Sequence, residues 1–260
     1  MECAETRVGE HGMAVDHRQL VSRTGTSWLQ RGRRDGIKLK SSDEARAVSL
    51  LRMSWEKRVV DLVSALVGLL LLSPLLVTVA IAILADDGRP VFFRQARIGH
   101  RGTTFRIWKF RTMCVNAEAQ GRRITVGDDP RITRVGRVLR QLKIDELPQL
   151  INVVKGEMSL VGPRPEVPEY VARYTPEQRN VLSIIPGITD PASIEYRREG
   201  DILACAHAPE RTYVEVIMPE KIRLNLEYAK SATVWTDLRV IAGTIWLILK
   251  DRGAGPSVSS

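Results

Sequence analysis

Residues 62–85 read LVSALVGLLLLSPLLVTVAIAILA, 24 residues without a charged side chain. As a helix this run is roughly 36 Å long, enough for a hydrocarbon core of about 30 Å. A membrane-embedded helix therefore decides the fold. Pro74, preceded by Ser73, stands near its middle. Proline removes one backbone hydrogen bond and a seryl hydroxyl can cap the freed group, so a bend is expected there. Arg52, Lys57 and Arg58 precede the run, and Arg89, Arg94, Arg97, Arg101, Arg106, Lys109 and Arg111 follow it. Basic flanks favour the cytoplasmic side of a membrane, and here both flanks are basic. A re-entrant helix bent at Ser73 and Pro74 satisfies both features. A kinked spanning helix is the alternative that these residues leave open.

Outward from this segment the chain is that of a globular protein. Of its 260 residues, 44% are hydrophobic and 27% charged, which excludes wholesale disorder. The formal net charge of +9 implies an anionic partner: nucleic acid, anionic lipid or a phosphorylated substrate. Aromatic residues make up only 5%, too few for base-stacking platforms. Cys3, Cys114 and Cys205 form no disulfide framework, and the four histidines belong to no metal-binding pattern. Glycine-rich nucleotide loops and serine-elbow motifs are missing from the sequence. Residues 1–50 lack apolar periodicity and read as a flexible leader, without the apolar stretch of a signal peptide.

After the apolar run, residues 91–95 and 104–111 read as the arms of a hairpin turning at Gly99 and Gly102. Residues 130–154 read as one helix, capped by Asp128 and Asp129 and opened by Pro130. Arg131, Arg134, Arg137, Arg140 and Lys143 recur at every third position of it, a row that spirals around a helix instead of forming a stripe. Pro163 and Pro165 stiffen the backbone around Arg164, which suits a guanidinium aimed at a fixed anion. A short helix is expected at 176–183, a turn at 186–189, and an amphipathic helix at 234–249 bearing Trp235 and Trp246. That helix is suited to a membrane interface or to core packing.

Within the basic segment stand two neighbouring acids, Asp145 and Glu146. On a helix their side chains point about 100° apart, so they cannot do the same job at one atom. One could attack or take a proton while the other holds a cation, and nearby arginines and lysines would keep both ionised. The plain alternative is a pair of surface salt bridges.

The segments KRVVDLVSALVGLLLLSP, FFRQARIGHRGTTFRIWKFRTM, DDPRITRVGRVLRQLKIDELPQLINVVKGEMSLVGPRPE and PGIT, in this order, closely resemble the bacterial sugar transferases of the monotopic phosphoglycosyl transferase family, in its minimal form. The resemblance implies an α-rich α+β fold with a re-entrant membrane helix-break-helix, a small β-hairpin, a catalytic helix and interfacial amphipathic helices. It divides the chain into a leader (1–50), the membrane helix (55–86), a cytoplasmic catalytic domain (87–250) and a tail (251–260), on the inner face of the cytoplasmic membrane. The implied reaction moves a sugar 1-phosphate from a nucleotide diphosphate sugar, expected to be a UDP-sugar, to undecaprenyl phosphate. It starts a surface polysaccharide or glycan through an aspartyl phosphosugar on Asp145. The implied cofactor is Mg²⁺, held by Glu146 and shared with Asp145. By the same resemblance Lys109, Arg111, Arg140 and Arg164 bind substrate, and Ser73 and Pro74 are the helix break.

The match departs at residues 190–197, where many members carry Gly-Trp and a Gln-Val-x-Gly-Arg stretch. Arg197 is the candidate for the missing arginine, and the usual sugar preference cannot be carried over. The expected partners are the donor sugar nucleotide, the lipid phosphate and membrane lipid, without nucleic acid; a homodimer is left open. A basic nucleic-acid binder would explain the charge but not the apolar run. A membrane-anchored scaffold would explain the run but has no use for the acid pair.

Overall fold

The computed structural model describes residues 55–117, 129–197 and 199–251. The expected leader, the cap residue Asp128 and residues 252–260 of the tail lie outside them. Helix α1 (Trp55–Asp87) is long and apolar enough to cross a membrane. Its helical turns continue through Pro74, although the ladder lacks one backbone hydrogen bond there. The physical reason is local repair. Pro74 has no N–H to offer the Leu70 carbonyl, and the Ser73 hydroxyl donates to that carbonyl instead, at 2.7 Å. Thr78 donates its hydroxyl to the Pro74 carbonyl at 2.8 Å.

Both ends of α1 are fastened to the rest of the protein. Near the start, Arg58 donates to the carbonyls of Val153 and Val154 at 2.6 and 3.0 Å, and Lys57 pairs with Asp237. The carboxylate of Asp61 accepts from the Leu160 amide at 3.3 Å. At the far end, Asp86 accepts from the Val135 amide at 3.0 Å, and Arg111 donates to the carbonyls of Asp87 and Gly88, each at 2.8 Å. The two halves pack into separate clusters. Ala65, Leu69 and Leu72 meet Phe105, Ile107 and Leu150, while Val79 and Ile83 meet Phe110 and Leu139. Between these contacts Leu70 and Leu71 are 73% and 72% exposed.

The hairpin forms as expected. Strands β1 (Phe92–Ile98) and β2 (Thr104–Phe110) pair antiparallel, with Phe92 opposite Phe110 and Ile98 opposite Thr104. Helix α2 (Arg134–Gln141) follows, then a 3₁₀ helix (Ile144–Gln149) and helix α3 (Leu150–Lys155). The single helix expected over 130–154 is thus three pieces. Lys143 adopts the left-handed conformation, φ 56°, which ends α2 and redirects the chain. The cap of α2 is Thr133, whose hydroxyl accepts from the Gly136 amide, in place of Asp129. Asp129 and Arg131 instead grip each other before the helix, with Arg131 Nη2 2.6 Å from the Asp129 carboxylate. That contact holds the Asp129 carboxyl down at about 2. Arg131 accordingly drops out of the helical arginine row.

Strand β3 (Ser159–Val161) pairs parallel with β4 (Gly187–Thr189). Residues 186–189, expected to be a turn, therefore supply a strand. Gly187 lies against Gly162, where a Cβ would sit 2.1 Å from the Gly162 nitrogen, so no larger residue permits this approach. Helices α4 (Pro168–Val171), α5 (Pro191–Glu195), α6 (Glu199–Ala204), α7 (Pro209–Thr212) and α8 (Met218–Lys230) follow, with a 3₁₀ helix at Gln178–Ser183 and a π-turn at Tyr213–Ile217. Helix α9 (Val234–Asp251) comes last, as expected. Its Val240 and Leu247 pack on Val161 and Ile194, while Trp235, Leu238, Ile245, Trp246 and Leu249 stay exposed.

Candidate active site

The acid pair sits on the 3₁₀ helix, not on a regular α-helix. Three residues per turn set neighbouring side chains about 120° apart, so Asp145 and Glu146 still point to different partners. Both are buried, at 7% and 9% exposure. What fixes their surroundings is Asn152 on α3, fully buried. Its Oδ1 accepts from the Trp108 amide at 3.0 Å and its Nδ2 donates to the Arg106 carbonyl at 2.9 Å. The side chain thereby mimics a third strand on the open edge of β2, and locks the strand that carries Lys109 to the helix that follows the acid pair.

Glu146 is gripped from two sides. Lys109 Nζ donates to its Oε1 at 2.9 Å. Arg164 forks the carboxylate, Nη1 to Oε2 at 3.1 Å and Nη2 to Oε1 at 2.5 Å. Bidentate guanidinium pairing of this kind is both strong and directional. Burial alone would push the Glu146 carboxyl up, but Arg164 and Lys109 outweigh it and hold it well below the usual carboxylate range. Burial lowers the Lys109 ammonium, with Glu146 opposing, and the Glu146 charge raises Arg164.

Asp145 is in the opposite condition. Its Oδ1 is buried without a hydrogen-bond partner. Burial first, and the Glu146 charge second, push its carboxyl above the usual range, against Lys109, Lys143 and Arg140. One acid is clamped and the other is held ready. Arg140 donates its Nε to the Thr112 hydroxyl at 2.8 Å, and the Asp145 charge acts on its guanidinium.

The other expected site residues fall elsewhere. Arg111 does not reach for the acid pair: its Nη2 holds the Asp87 and Gly88 carbonyls and stands 3.1 Å from the Asp87 carboxylate, closing the end of α1. The reason is register, because Arg111 follows the last residue of β2, where the chain passes beneath α1. Arg197 lies in the turn after α5, beyond Asp190, whose carboxylate caps that helix. Ser73 and Pro74 lie at the exposed centre of α1. Asn152 was not foreseen as a supporting residue, since an asparagine inside an apolar helix run carries no sequence signal of what it will pair with.

Comparison with known proteins brings the family into view. Residues 52–251 match the family described as Bacterial sugar transferase. The chain belongs to that family. A UDP-N-acetylgalactosamine-undecaprenyl-phosphate N-acetylgalactosaminephosphotransferase of Aeromonas hydrophila is 37% identical over 203 residues, covering 76% of this chain and 44% of that one. An undecaprenyl-phosphate glucose phosphotransferase of Komagataeibacter xylinus is 40% identical over 205 residues, 73% of this chain and 35% of the other. In Caulobacter vibrioides, a UDP-glucose:undecaprenyl-phosphate glucose-1-phosphate transferase is 38% identical over 204 residues, 73% of this chain and 68% of the other. The chain thus spans less than half the length of the first two relatives and about two thirds of the third.

Among the described residues, no group of three or more His, Cys, Asp or Glu side chains could hold a metal. A magnesium ion needs less than that when substrate phosphates and water complete its octahedron. The Asp145 carboxylate, whose Oδ1 has no hydrogen-bond partner, fits as one ligand for it through either of its two oxygens. Glu146 does not fit in this arrangement, because both its oxygens are taken by Lys109 and Arg164.

Proposed function

We propose that this sugar transferase moves a sugar 1-phosphate from a UDP-sugar to undecaprenyl phosphate through an aspartyl phosphosugar on Asp145. The observation that carries the reading is the unequal pair: a buried Asp145 with a free oxygen beside a Glu146 fixed by two cations. A carboxylate without hydrogen-bond partners is a better nucleophile than a solvated one. Its oxygen attacks the β-phosphorus of the donor, and the bond from that phosphorus to the bridging oxygen breaks. UMP leaves with the electron pair. The lipid phosphate then attacks the same phosphorus, expelling the Asp145 carboxylate and giving the lipid diphosphate sugar. Lys109, Arg140 and Arg164 supply the positive field for phosphate oxygens. Mg²⁺, held by Asp145 and the diphosphate, would neutralise charge developing on the leaving phosphate. Glu146 orients Lys109 and Arg164 in this reading and is not itself the metal's ligand.

The acceptor is a membrane lipid, and α1 supports a site beside the bilayer. The helix is apolar and exposed at its centre, while both of its ends return to the body that carries the acid pair. That is what a re-entrant helix requires, with the catalytic part on the cytoplasmic face. The exposed tryptophans of α9, with Lys250 Nζ 4.8 Å from the Trp246 ring centre, suit the interface.

The test is UMP release from a panel of UDP-sugars by membranes containing the chain. With donor alone, purified protein should release about one equivalent of UMP and gain the mass of a phosphosugar. With undecaprenyl phosphate added, turnover should be ping-pong. Sequential kinetics without an adduct would mean direct attack by the lipid phosphate and would refute the covalent route.

A further inference from the structure

We propose that the cleft beside Arg164 is a subsite for the nucleotide sugar, and that Asn225 in its wall accepts a hydrogen bond from an N–H or O–H group of that substrate beyond its phosphates. This rests on the reading of the acid pair given above. The cleft lies between loop 163–165, the end of β1 and the face of α8. Arg164 lines it and also forks Glu146, so the cleft begins where the acid pair ends. With the diphosphate at Asp145, the next group of the donor, base or sugar, runs along this wall.

Asn225 is 4% exposed, and its Oδ1 has no hydrogen-bond partner. Native structures rarely leave a buried acceptor unpaired, because its lost hydration is not returned. Three neighbouring polar side chains of the cleft, Glu166, Tyr213 and Lys221, are already engaged. Glu166 accepts from the Tyr213 hydroxyl at 2.5 Å, and Lys221 donates to Glu199 at 2.8 Å. Ile98, Val181, Ile184, Met218 and Ile222 complete the wall with apolar surface. An apolar cleft with a few convergent polar atoms is the usual form of a small-molecule site. Tyr213 opens the π-turn that leads into α8, and such turns recur at functional sites. A pyrimidine imide and a sugar hydroxyl offer the same donor chemistry to Oδ1.

Asn225→Leu keeps the volume and removes the amide. If Asn225 were only structural, losing an unpaired buried acceptor would be neutral or stabilising, and binding would not change. The full chain in detergent is titrated with UMP alone and with glucose 1-phosphate alone, and its melting temperature is recorded. The expected result is an unchanged or higher Tm with about tenfold weaker affinity for one probe. Loss on UMP places the base in the cleft, and loss on glucose 1-phosphate places the sugar there. Affinities for both probes within twofold of wild type, at undiminished Tm, overturn the proposal. Should the leucine variant fold poorly, Asn225→Ala removes the same acceptor and should show the same tenfold loss. Asn225→Asp keeps an acceptor and should retain most of the binding. A wild-type chain that binds neither probe and releases no UMP would refute the transferase reading itself, a result distinct from a wild type that binds and a variant that binds equally.

Discussion

Asp145 is kept in a state that works against the fold. Burial and the neighbouring Glu146 charge raise its carboxyl above the usual range, so the fold disfavours the ionised form. The sign follows from linkage. A carboxyl raised on folding stabilises only below its unfolded value of about 3.9, and that contribution is lost as pH rises through the folded value. Replacing Asp145 by Asn should therefore raise the Tm at pH 7 by a few degrees, corresponding to about 1–2 kcal/mol, while abolishing UMP release. The gain should shrink at acid pH, where wild-type Asp145 is itself protonated. A melting curve of the variant below that of wild type at pH 7 would contradict this. Glu146 has the opposite sign: it stabilises above its unfolded value and is lost only well into acid. Glu146→Gln leaves Lys109 and Arg164 facing an uncharged group, and should cost about 3 kcal/mol, read as a lower Tm in detergent. Two neighbouring acids were legible from the chain, and so was their difference in direction. Which of them is clamped was not legible, because that depends on Arg164 arriving from a loop 18 residues away.

The element that carries this pair is a short 3₁₀ helix, whereas periodicity alone reads a helix continuing from 130 to 154. The apolar and basic spacing is the same in both descriptions; the break comes from the left-handed Lys143, a residue type that announces no turn. The hairpin and α9 were readable because glycines, and an amphipathic run, mark them directly. Strand β4 was hidden for a different reason: its partner β3 lies 28 residues earlier, and a proline-glycine pair reads locally as a turn. Close packing of α2 is equally invisible in sequence. A Cβ at Gly136 would lie 2.1 Å from the Thr112 carbonyl oxygen, where the chain leaving β2 crosses the first turn of α2. Gly136→Ala should therefore push α2 away from Thr112, despite alanine's better helix propensity, and break the Arg140 contact to the Thr112 hydroxyl. The expected outcome is a Tm loss equivalent to about 1–3 kcal/mol with a larger fall in UMP release. A stabilised and fully active variant would show that the crossing has room to spare.

At the scale of the molecule, the two ends of α1 support the re-entrant course proposed above. A straight helix of 33 residues would be roughly 50 Å long. Both its ends are held by the body that carries the acid pair, through Lys57 and Arg58 at one end and through Asp86 and Arg111 at the other. Crossing the bilayer would require one set of these contacts to break, costing Asp237 its ion pair with Lys57 and Asp61 its bond to the Leu160 amide, or leaving Arg111 without the Asp87 and Gly88 carbonyls. At the centre of α1, Leu70 and Leu71 are largely exposed, next to the residue pair where the hydrogen-bond ladder is repaired by Ser73. A helix that dips into one leaflet and returns keeps every one of these contacts. Cysteines placed at Glu56 and at Arg89, in a chain whose three native cysteines are replaced by serine, test it. An impermeant thiol reagent applied to intact cells should label neither, and should label both once the membrane is opened. Labelling of one site in intact cells would mean that α1 spans. Pro74→Ala restores the N–H that the Leu70 carbonyl lacks, and so removes the local reason for bending. A fraction of that variant should then become labelled at one end in intact cells. The fraction should grow when Lys57 is also replaced by Ala, because the pair to Asp237 is one of the contacts that straightening must break.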